Sequence, residues 1–345
     1  FYGGTYYPPE PRQGMPSFRQ VLASVADAYR NQPEAVRDTT LQILAALRAE
    51  PRGASATPPG RETLAAATRE IQKNADPDFG GFGGGPKFPT PTNLDLLLAG
   101  SDVLPGAAAE NALEHVHKTC IEMAHRGLYD HLGGGFHRYC VDGRWEIPHF
   151  EKMLYDNAQL ATLYARAAAI DGDALYKRTA RRTLDYVLRE MTAPGEPGAT
   201  GFYSAQDAEV NHREGLNYLW TPESIRAALP PEDAELAVRL YMLDQGTNFQ
   251  DPHHPDDPAQ NVLRLSDRPE HVARAMGMGE DELLTAMDRI NAALYDVRAT
   301  REQPHLDDKV LTAWNGLLLE ALAAGADLFG DVTYVEAGDH AARYI

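Results

Sequence analysis

The sequence has few cysteines, fewer basic than acidic residues, and no long apolar run. Its 345 residues include only two cysteines, Cys120 and Cys140, which excludes a disulfide framework and fits a reducing compartment. No run of about 18 apolar residues occurs, so the sequence predicts no membrane-spanning helix. It starts at Phe1, without the pattern of a signal peptide. We therefore expect a cytoplasmic protein, of which this stretch is an internal fragment.

The charge balance is acidic, with 32 Lys and Arg against 50 Asp and Glu and a formal net charge of −18. Such a surface repels phosphate backbones and anionic lipid headgroups, so we expect neither nucleic acid nor a membrane as a partner. Lys87 follows a glycine-rich stretch, but the Gly-Lys-Ser/Thr ending of a phosphate-binding loop is missing. His131, His137, Cys140 and His149 lack the spacing of common zinc sites. We expect no metal and no other cofactor.

Proline, glycine and apolar spacing divide the chain into two parts joined by a linker. Residues 1–9 are aromatic and end in two prolines, which suits the last strand of a sheet. Apolar residues at helical spacing then predict two helices before residue 50. The three prolines and two glycines of residues 51–60 indicate a linker. Beyond it, the apolar period predicts amphipathic helices over residues 61–74, 92–104, 108–126, 150–170, 174–192, 279–298, 309–328 and 333–345.

Two internal echoes indicate a repeated helical hairpin. Glycine-aromatic turns recur at residues 80–82, 134–136 and 201–202, and similar strings open two predicted helices at residues 151–154 and 308–311. A hairpin repeated with a glycine-rich turn is typical of a stacked or closed α/α array. The expected fold is therefore mainly α, an (α/α) six-hairpin toroid or barrel. We expect it to be incomplete, because the sequence contains helices for only about four hairpins.

Six strings of the sequence resemble a known family. They are FYGGTYYPP, DPDFGGFGGGPKFPTPTNL, YDHLGGGFHRY, PHFEKMLYDNAQL, GFYSAQDAE and PHLDDKVLTAWNGL. They are similar to the thioredoxin-domain-containing family of the spermatogenesis-associated thioredoxin-like protein. The resemblance implies the C-terminal remnant of a thioredoxin-like domain at residues 1–50. It also implies a hairpin barrel at residues 61–345, similar to those of N-acylglucosamine 2-epimerases and hairpin-barrel glycosidases.

The same resemblance bears on redox chemistry. The family's cysteine-containing redox motif is not in this sequence and would lie upstream of Phe1. We therefore assign no thiol–disulfide chemistry to this chain. The resemblance still implies a possible thiol-redox partner, which would act through the missing N-terminal part of the thioredoxin-like domain.

The densest polar cluster lies between residues 129 and 157, and we take it as the candidate site. Histidine exchanges protons near neutral pH, and an adjacent carboxylate fixes its tautomer. Sugar epimerisation needs a base and an acid, whereas glycoside hydrolysis needs two carboxyl groups; the cluster offers both sets. The candidate catalytic residues are His149, Glu151, Asp156, His137 and Asp308. The candidate substrate-binding residues are Tyr129, Asp130, His131, Arg138, Lys152, Tyr155, Asn157, Asp207, His305, Asp307 and Trp314.

Structural explanations stay open beside the catalytic ones. His149 and Glu151 stand at the start of a predicted helix, as do His305 and Asp308, where such residues also serve helix capping and the helix dipole. The triple glycine at residues 133–135 either lets a ligand approach the backbone or forms a tight turn whose histidines bind backbone carbonyls.

Residues 202–220 alternate around a polar turn and predict an inserted β-hairpin with Asp207 at its tip. If this hairpin folds over the barrel mouth, Asp207 reaches a ligand, and a solvated turn is the alternative. Aromatic rings suit the C–H faces of sugars, which makes Tyr155 and Trp314 candidates for binding. Trp314 also lies on an apolar stripe, which favours core packing.

Three functions are compatible with these patterns. The first is a carbohydrate-processing protein, epimerase-like or glycosidase-like, that transfers protons between histidines, carboxylates and a small-molecule ligand such as a sugar. The second is a non-catalytic or redox-partner protein whose barrel presents clients to a thioredoxin-like domain. The third, an isoprenoid-type cyclase, would need a longer Asp-rich diphosphate motif than Asp307-Asp308. We favour the first, which predicts that the titratable residues converge in one site.

Overall fold

The computed structural model describes residues 7–12, 14–48 and 60–345. The chain divides into two compact units, Phe1–Pro59 and Gly60–Ile345. Most of the strand predicted at residues 1–9 lies outside the described residues. The linker predicted at residues 51–60 also lies outside them, except for Gly60.

Two helices make up most of the described part of the first unit, α1 (Phe18–Asn31) and α2 (Pro33–Arg48). A reciprocal pair of hydrogen bonds caps α1. The Ser17 hydroxyl accepts from the backbone N–H of Gln20, and the Gln20 side chain accepts from the backbone N–H of Ser17. Pro33 opens α2 at the position where a helix does not need its N–H. The apolar period of this region therefore predicted both helices.

Eleven helices make up most of the described part of the second unit: α3 (Arg61–Gln72), α4 (Pro91–Ser101), α5 (Ala107–His125), α6 (Leu154–Asp171), α7 (Ala174–Glu190), α8 (Pro222–Ala228), α9 (Pro231–Leu240), α10 (Pro269–Met276), α11 (Glu280–Ala299), α12 (Thr312–Phe329) and α13 (Val332–Tyr344). Successive helices pack as hairpins, α4 with α5, α6 with α7, α8 with α9, α10 with α11, and α12 with α13. Helix α6 also packs along both α4 and α12. The predicted mainly α class, built from α/α hairpins, is confirmed.

Three helices and two helix starts differ from the prediction. Helices α8, α9 and α10 have only 7, 10 and 8 residues, which is too short to show a clear apolar period. Helices α6 and α12 start at Leu154 and Thr312 rather than at residues 150 and 309. Helix α6 starts late because Lys152 and Met153, just before it, form a short strand, whereas residues 308–311 before α12 are irregular.

Apolar side chains from several helices fill the interior of the second unit. Leu97, Val116 and Leu160 are fully buried where α4, α5 and α6 meet, and Leu318 is fully buried between α12 and its neighbours. A further core joins α8, α9, α10 and α11. Among the described helices, none combines the length and apolar composition that a membrane crossing requires.

Short strands lie in the segments between helices. Within the described residues they are β1 (Tyr139–Cys140), β2 (Pro148–His149), β3 (Lys152–Met153), β4 (Ala205–Gln206), β5 (Glu209–Val210), β6 (Arg213–Glu214) and β7 (Leu306–Asp307). All pairings are antiparallel: β1 with β2, β5 with β6, and β4 between β3 and β7.

The predicted β-hairpin exists, but its tip is elsewhere. Asn211 and His212 form the turn between β5 and β6, with φ of 54° and 60°, as a two-residue hairpin of this type requires. The prediction that Asp207 lies at the tip is therefore wrong. Asp207 lies between β4 and β5, and its backbone N–H donates to the carbonyl of His305 over 2.8 Å.

Candidate functional site

The candidate site lies where the three-stranded sheet meets the N-terminal ends of α6 and α12. Lys152 of β3 pairs with Gln206 of β4, and both side chains are buried. Extending the register by one residue places Glu151, Asp207 and His305 side by side. Because side chains alternate along a strand, these three point away from the buried face. Directly opposite residues in such a sheet lie about 5 Å apart, so their side chains are neighbours.

His149 at the end of β2 forms a pair with Glu214 at the end of β6. Its Nδ1 lies 2.6 Å from Oε1 of Glu214. The hydrogen bond that Nδ1 donates to Glu214 raises the pKa of His149 above its usual 6.5, against the opposing effect of partial burial. The Nε2 of His149 lies 3.9 Å from Oε2 of Glu151. The imidazole is thus placed between two carboxylates and can gain or lose a proton near neutral pH.

Glu151 is held by Arg138. The Nη1 of Arg138 donates to Oε2 of Glu151 over 2.8 Å. The backbone N–H of Arg138 also donates to the Glu151 carbonyl over 2.8 Å, so the pair is fixed at both side chain and backbone. Arg138 remains charged at all relevant pH values. Its charge also acts on Asp156 in the first turn of α6.

Asp156 lies in that first turn and is buried, with only 6% of its surface exposed. Its Oδ2 has no hydrogen-bond partner among the described residues. Burial raises the pKa of Asp156 to about 7, although the charge of Arg138 and a hydrogen bond from Tyr155 act in the opposite direction. A carboxyl group with this pKa is half-protonated at neutral pH and can act as acid or base.

Aromatic rings border this polar group on two sides. Tyr155 meets Trp314 edge to face, with ring centroids 4.8 Å apart. On the other side, Tyr139 stacks on His149 at 5.0 Å and Phe88 stacks on Tyr139 at 4.6 Å. The Phe88 ring is 45% exposed. The site thus combines proton-exchanging groups with accessible ring faces.

Asp307 and Asp308 lie at the start of the segment that leads into α12. Asp307 forms an ion pair with Lys309, and Asp308 is exposed. The resemblance between the strings at residues 151–154 and 308–311 therefore does not extend to the lysines, because Lys152 is fully buried whereas Lys309 is exposed.

Other candidate residues belong to a buried ionic cluster. Asp130 accepts two hydrogen bonds from Arg298, over 2.8 and 2.9 Å, and one from Lys152 over 2.7 Å. Burial alone would raise the pKa of Asp130, but the two cations outweigh it and hold this pKa well below its usual value. These groups saturate one another inside the protein, so we assign Asp130 and Lys152 to the framework of the site.

The two histidines beside the triple glycine are also buried. The Nδ1 of His137 lies 2.9 Å from the Phe150 carbonyl, and Nε2 of His131 lies 3.2 Å from the Arg126 carbonyl. Burial lowers the pKa of His137 to about 3 and that of His131 to about 4, so both are neutral at pH 7. Together with His131 and Asp130, the buried ring of Tyr129 lines a small cavity of about 20 Å³.

Asn157 fixes the glycine-rich turn that precedes it in the chain. Its Oδ1 accepts from the backbone N–H of Phe136 over 2.7 Å, and its Nδ2 donates to the Phe136 carbonyl over 3.1 Å. Asn315 on α12 makes the same two bonds to Phe202, over 2.9 and 3.0 Å. The internal repeat seen in the sequence is therefore a repeated clamp, in which an asparagine in the first turns of a helix holds a Gly-Phe turn.

A second repeated element involves the buried lysines. Lys152 binds Asp130 and the Gly134 carbonyl, while Lys87 binds Asp76 and the Gly80 carbonyl. In both turns the carboxylate lies four residues before the glycine. The sequence could have indicated this role, because each Asp precedes its Gly-Gly-Phe string by the same interval.

Three polar residues of the site were not among the sequence candidates. Glu214 reaches His149 through the β5–β6 hairpin, and Arg298 reaches Asp130 from α11. Glu190, at the end of α7, accepts from the side chains of Tyr295 and Gln206. No sequence motif connects these residues to their partners.

Cysteine and metal chemistry receive no support from the described residues. Cys120 and Cys140 are buried free thiols, and burial raises the pKa of both, which disfavours the reactive thiolate. Within the described ranges, no group of three or more His, Cys, Asp or Glu side chains is arranged to hold a metal ion.

Comparisons with known proteins give the following similarities. A family model named Thioredox_DsbH, described as a protein of unknown function, DUF255, matches residues 1–48. Spermatogenesis-associated protein 20 of Rattus norvegicus is 32% identical over 370 residues, which cover 100% of this chain and 46% of the rat protein. The chain therefore spans about half the length of this curated relative.

Two solved structures show a distant likeness. A sugar epimerase from a ruminal bacterium is 13% identical with a TM-score of 0.33, over 80% of this chain and 85% of the epimerase. A family 76 glycoside hydrolase (mannosidase) from Bacteroides thetaiotaomicron is 9% identical with a TM-score of 0.35, over 82% of this chain and 70% of the hydrolase.

Proposed function

The chain belongs to the family of spermatogenesis-associated protein 20, and we propose that its helical unit transfers protons on a sugar or related polyol. The observation that carries this proposal is the series of contacts from Glu214 through His149 and Glu151 to Arg138, whose charge in turn acts on Asp156. It supplies two proton-exchanging groups, His149 and Asp156, within one site. Glu214 raises the pKa of His149 above its usual 6.5, and burial raises that of Asp156 to about 7.

An epimerase-like reaction uses both of these groups. One removes the proton from the carbon beside the carbonyl of the open-chain sugar, and the other returns a proton to that carbon. Asp156, with a pKa of about 7, exchanges a proton near neutral pH, and His149, whose pKa Glu214 raises above 6.5, donates one in its imidazolium form. The rings of Tyr139, Tyr155 and Trp314 offer apolar faces for the C–H surface of the substrate.

A glycosidase-like reaction is the second candidate on the same site. It needs one protonated and one ionised carboxyl group beside the glycosidic bond. Asp156, with its raised pKa, fits the acid, and Glu151, held by Arg138, fits the ionised partner. The two reactions differ in their product, and one experiment therefore separates them.

The test is to incubate the chain in D₂O with a panel of aldoses, amino sugars and disaccharides. We expect deuterium to enter the carbon beside the carbonyl of one sugar class, detected by mass spectrometry and NMR. Release of new reducing ends without deuterium would favour glycoside hydrolysis. Loss of a general acid or base costs roughly 10²–10⁴-fold in rate. The reaction rates of His149→Gln and Asp156→Asn should therefore each be lower by a factor in that range.

His271→Gln is the matched control. His271 on α10 has its Nδ1 3.0 Å from a carboxylate oxygen of Asp267, so the exchange removes a comparable pair outside the site. Unchanged rates in all three variants would contradict the assignment of His149 and Asp156. If no sugar undergoes deuterium exchange and none is hydrolysed, the carbohydrate proposal is overturned.

That last result would favour the non-catalytic candidate, in which the barrel presents clients to a thioredoxin-like domain. The match of residues 1–48 to a thioredoxin-type family model is the observation that supports this alternative. The two buried thiols fit the cytoplasmic location that we propose for either function.

A further inference from the structure

A groove of about 220 Å³ lies between α4, α6 and α12. Most of the residues that line it are of polar type, and the lining includes Thr92, Asp95, Gln159, Arg166, Leu317 and Glu320. None of them belongs to the candidate site described above. The groove therefore is a second concave surface on the three helices that carry or border that site.

The groove begins about one helical turn beyond the candidate site on both α6 and α12. The side chain of Gln159 donates to the backbone carbonyl of Tyr155 over 2.8 Å, and residues four apart share one face of a helix. On α12, Leu317 follows Trp314 by three residues and lies on the same face. The Tyr155–Trp314 ring pair thus stands between the proton-transfer groups and the groove. At about 1.5 Å per residue, the step of four residues from Tyr155 to Gln159 spans roughly 6 Å.

The groove contains one more negative than positive side chain. Arg166 binds Asp95 through Nη1 and Glu320 through Nη2, the latter over 2.6 Å. Two carboxylates therefore share one guanidinium, and the side chains of all three are between 43% and 53% exposed. The neighbouring site adds the carboxylates of Glu151, Glu214 and Asp207 against two cationic groups, Arg138 and the imidazole of His149. A phosphate or carboxylate on the ligand would meet a surplus of negative charge, whereas hydroxyl groups would find donors and acceptors.

We infer that the substrate is an uncharged saccharide of at least two units, without phosphate. Its reacting unit lies at His149 and Asp156, and its second unit lies at the near end of the groove, beside Gln159. This inference rests on the proposed sugar chemistry, and adds the size and the charge of the substrate.

Intrinsic fluorescence provides a binding assay that does not depend on turnover. The chain has three tryptophans, and Trp145 and Trp220 are fully buried. Trp314, at the junction of site and groove, is only partly buried, so it reports on ligands there. The probes are glucose, cellobiose and glucose 6-phosphate, and mannose, α-1,6-mannobiose and mannose 6-phosphate. In one series we expect the disaccharide to bind at least tenfold more tightly than the monosaccharide, and the phosphate more weakly than either.

Thr92→Phe fills the groove from the second residue of α4 without adding a tryptophan. It should abolish the advantage of the disaccharide over the monosaccharide. Thr333→Phe is its matched control, because Thr333 is also the exposed second residue of a helix, α13, and the advantage should persist there.

The outcomes separate this inference from the proposed function. Equal affinity for mono- and disaccharide, tighter binding of the phosphate, or a disaccharide advantage that survives Thr92→Phe would overturn the inference. If a monosaccharide still exchanges deuterium in these cases, the proposed function stands. If no probe binds and no sugar exchanges deuterium, both are overturned.

Discussion

The imidazole of His149 lies 2.6 Å from the carboxylate of Glu214, although 65 residues separate the two in the chain. This contact involves Nδ1. The other ring nitrogen, Nε2, therefore faces Glu151 and the open side of the site. A carboxylate on one ring nitrogen fixes which nitrogen faces the ligand. The β5–β6 hairpin therefore acts on the chemistry of the site by holding one carboxylate in place.

Removing this carboxylate should lower the pKa of His149. In the intact chain the pKa lies above 6.5 because Glu214 stabilises the imidazolium, so His149 remains charged to higher pH. The Glu214→Gln variant keeps a hydrogen-bond acceptor but loses the charge, so we expect the titration to move to lower pH. The measurement is an NMR titration of the histidine ring protons, with His149→Gln to assign the signal.

Glu235→Gln is the control for this titration, because Glu235 pairs with Arg226 on the surface and does not contact His149. It should leave the His149 titration unchanged. A titration midpoint that is the same in Glu214→Gln and the intact chain would show that the pair does not form in solution.

The buried cluster around Asp130 should dominate the stability of this end of the fold. Asp130→Asn leaves Arg298 and Lys152 buried beside a neutral side chain, and breaking a buried ion pair in this way costs about 3–5 kcal/mol. Asp288→Asn is the control, since Asp288 pairs with Arg178 but its side chain is 54% exposed, and surface pairs contribute up to about 1 kcal/mol. Denaturant unfolding of both variants measures the difference. Equal losses would contradict the central role of Asp130.

The helices were predictable from the sequence because each depends on residues close to one another in the chain. Long helices such as α5 and α7 show several turns of apolar period, and a resemblance carried by contiguous strings supported the same class. The short helix α8 has too few residues for that signal. The pairing of His149 with Glu214 depends on a hairpin docking across the site, which no local pattern encodes.

The sequence indicated which polar residues lie near one another around residues 129–157, but not which of them are buried. The triple glycine at residues 133–135 left two predictions open, a ligand cavity or a tight turn in which His131 and His137 bind backbone carbonyls. In the structure a Cβ at Gly133 would lie 2.2 Å from Nη2 of Arg298. The missing side chains thus make room for the protein's own groups. A glycine indicates that another group lies close to the backbone, but only the packed structure shows whether that group is a ligand or a side chain of the protein.

Two glycines with almost the same backbone angle provide a test of this close packing. Gly135 has φ of 79° and Gly198 has φ of 82°. A Cβ at Gly135 would lie 2.5 Å from Cδ1 of Tyr186 and 2.9 Å from Oδ1 of Asn157, whereas none of the described atoms lies within 4 Å of one at Gly198. Gly198→Ala should cost about 1 kcal/mol of backbone strain, and Gly135→Ala should cost clearly more.

Thermal and denaturant unfolding of the two alanine variants measures this difference directly. Backbone strain is common to both, so any excess loss in Gly135→Ala comes from the contacts with Tyr186 and Asn157. Similar losses in the two variants would mean that the turn can shift to admit a methyl group, and would argue against the clamp by Asn157.

The raised pKa of Asp156 predicts a specific dependence of stability on pH. Its pKa is about 7 in the folded chain, against a usual value of 3.8. Between these pH values the folded state holds a proton that the unfolded state has released, so this group's contribution to stability falls as pH rises from about 4 to 7. A shift of this size corresponds to a few kcal/mol, on the order of 4. Asp156→Asn removes the buried charge, so the variant should not lose this stability as the pH rises.

The free energy of unfolding of Asp156→Asn and the intact chain should therefore be compared at pH 5 and pH 8. We expect the variant to gain stability relative to the intact chain as the pH increases. Asp296→Asn is the control, because Asp296 lies on the surface of α11 and should give the same difference at both pH values. If Asp156→Asn instead loses stability at pH 8, the carboxylate is ionised and partnered in solution, and its role as an acid near pH 7 is excluded. A gain in stability together with lost deuterium exchange would show that the buried carboxyl group is retained for chemistry at the expense of stability.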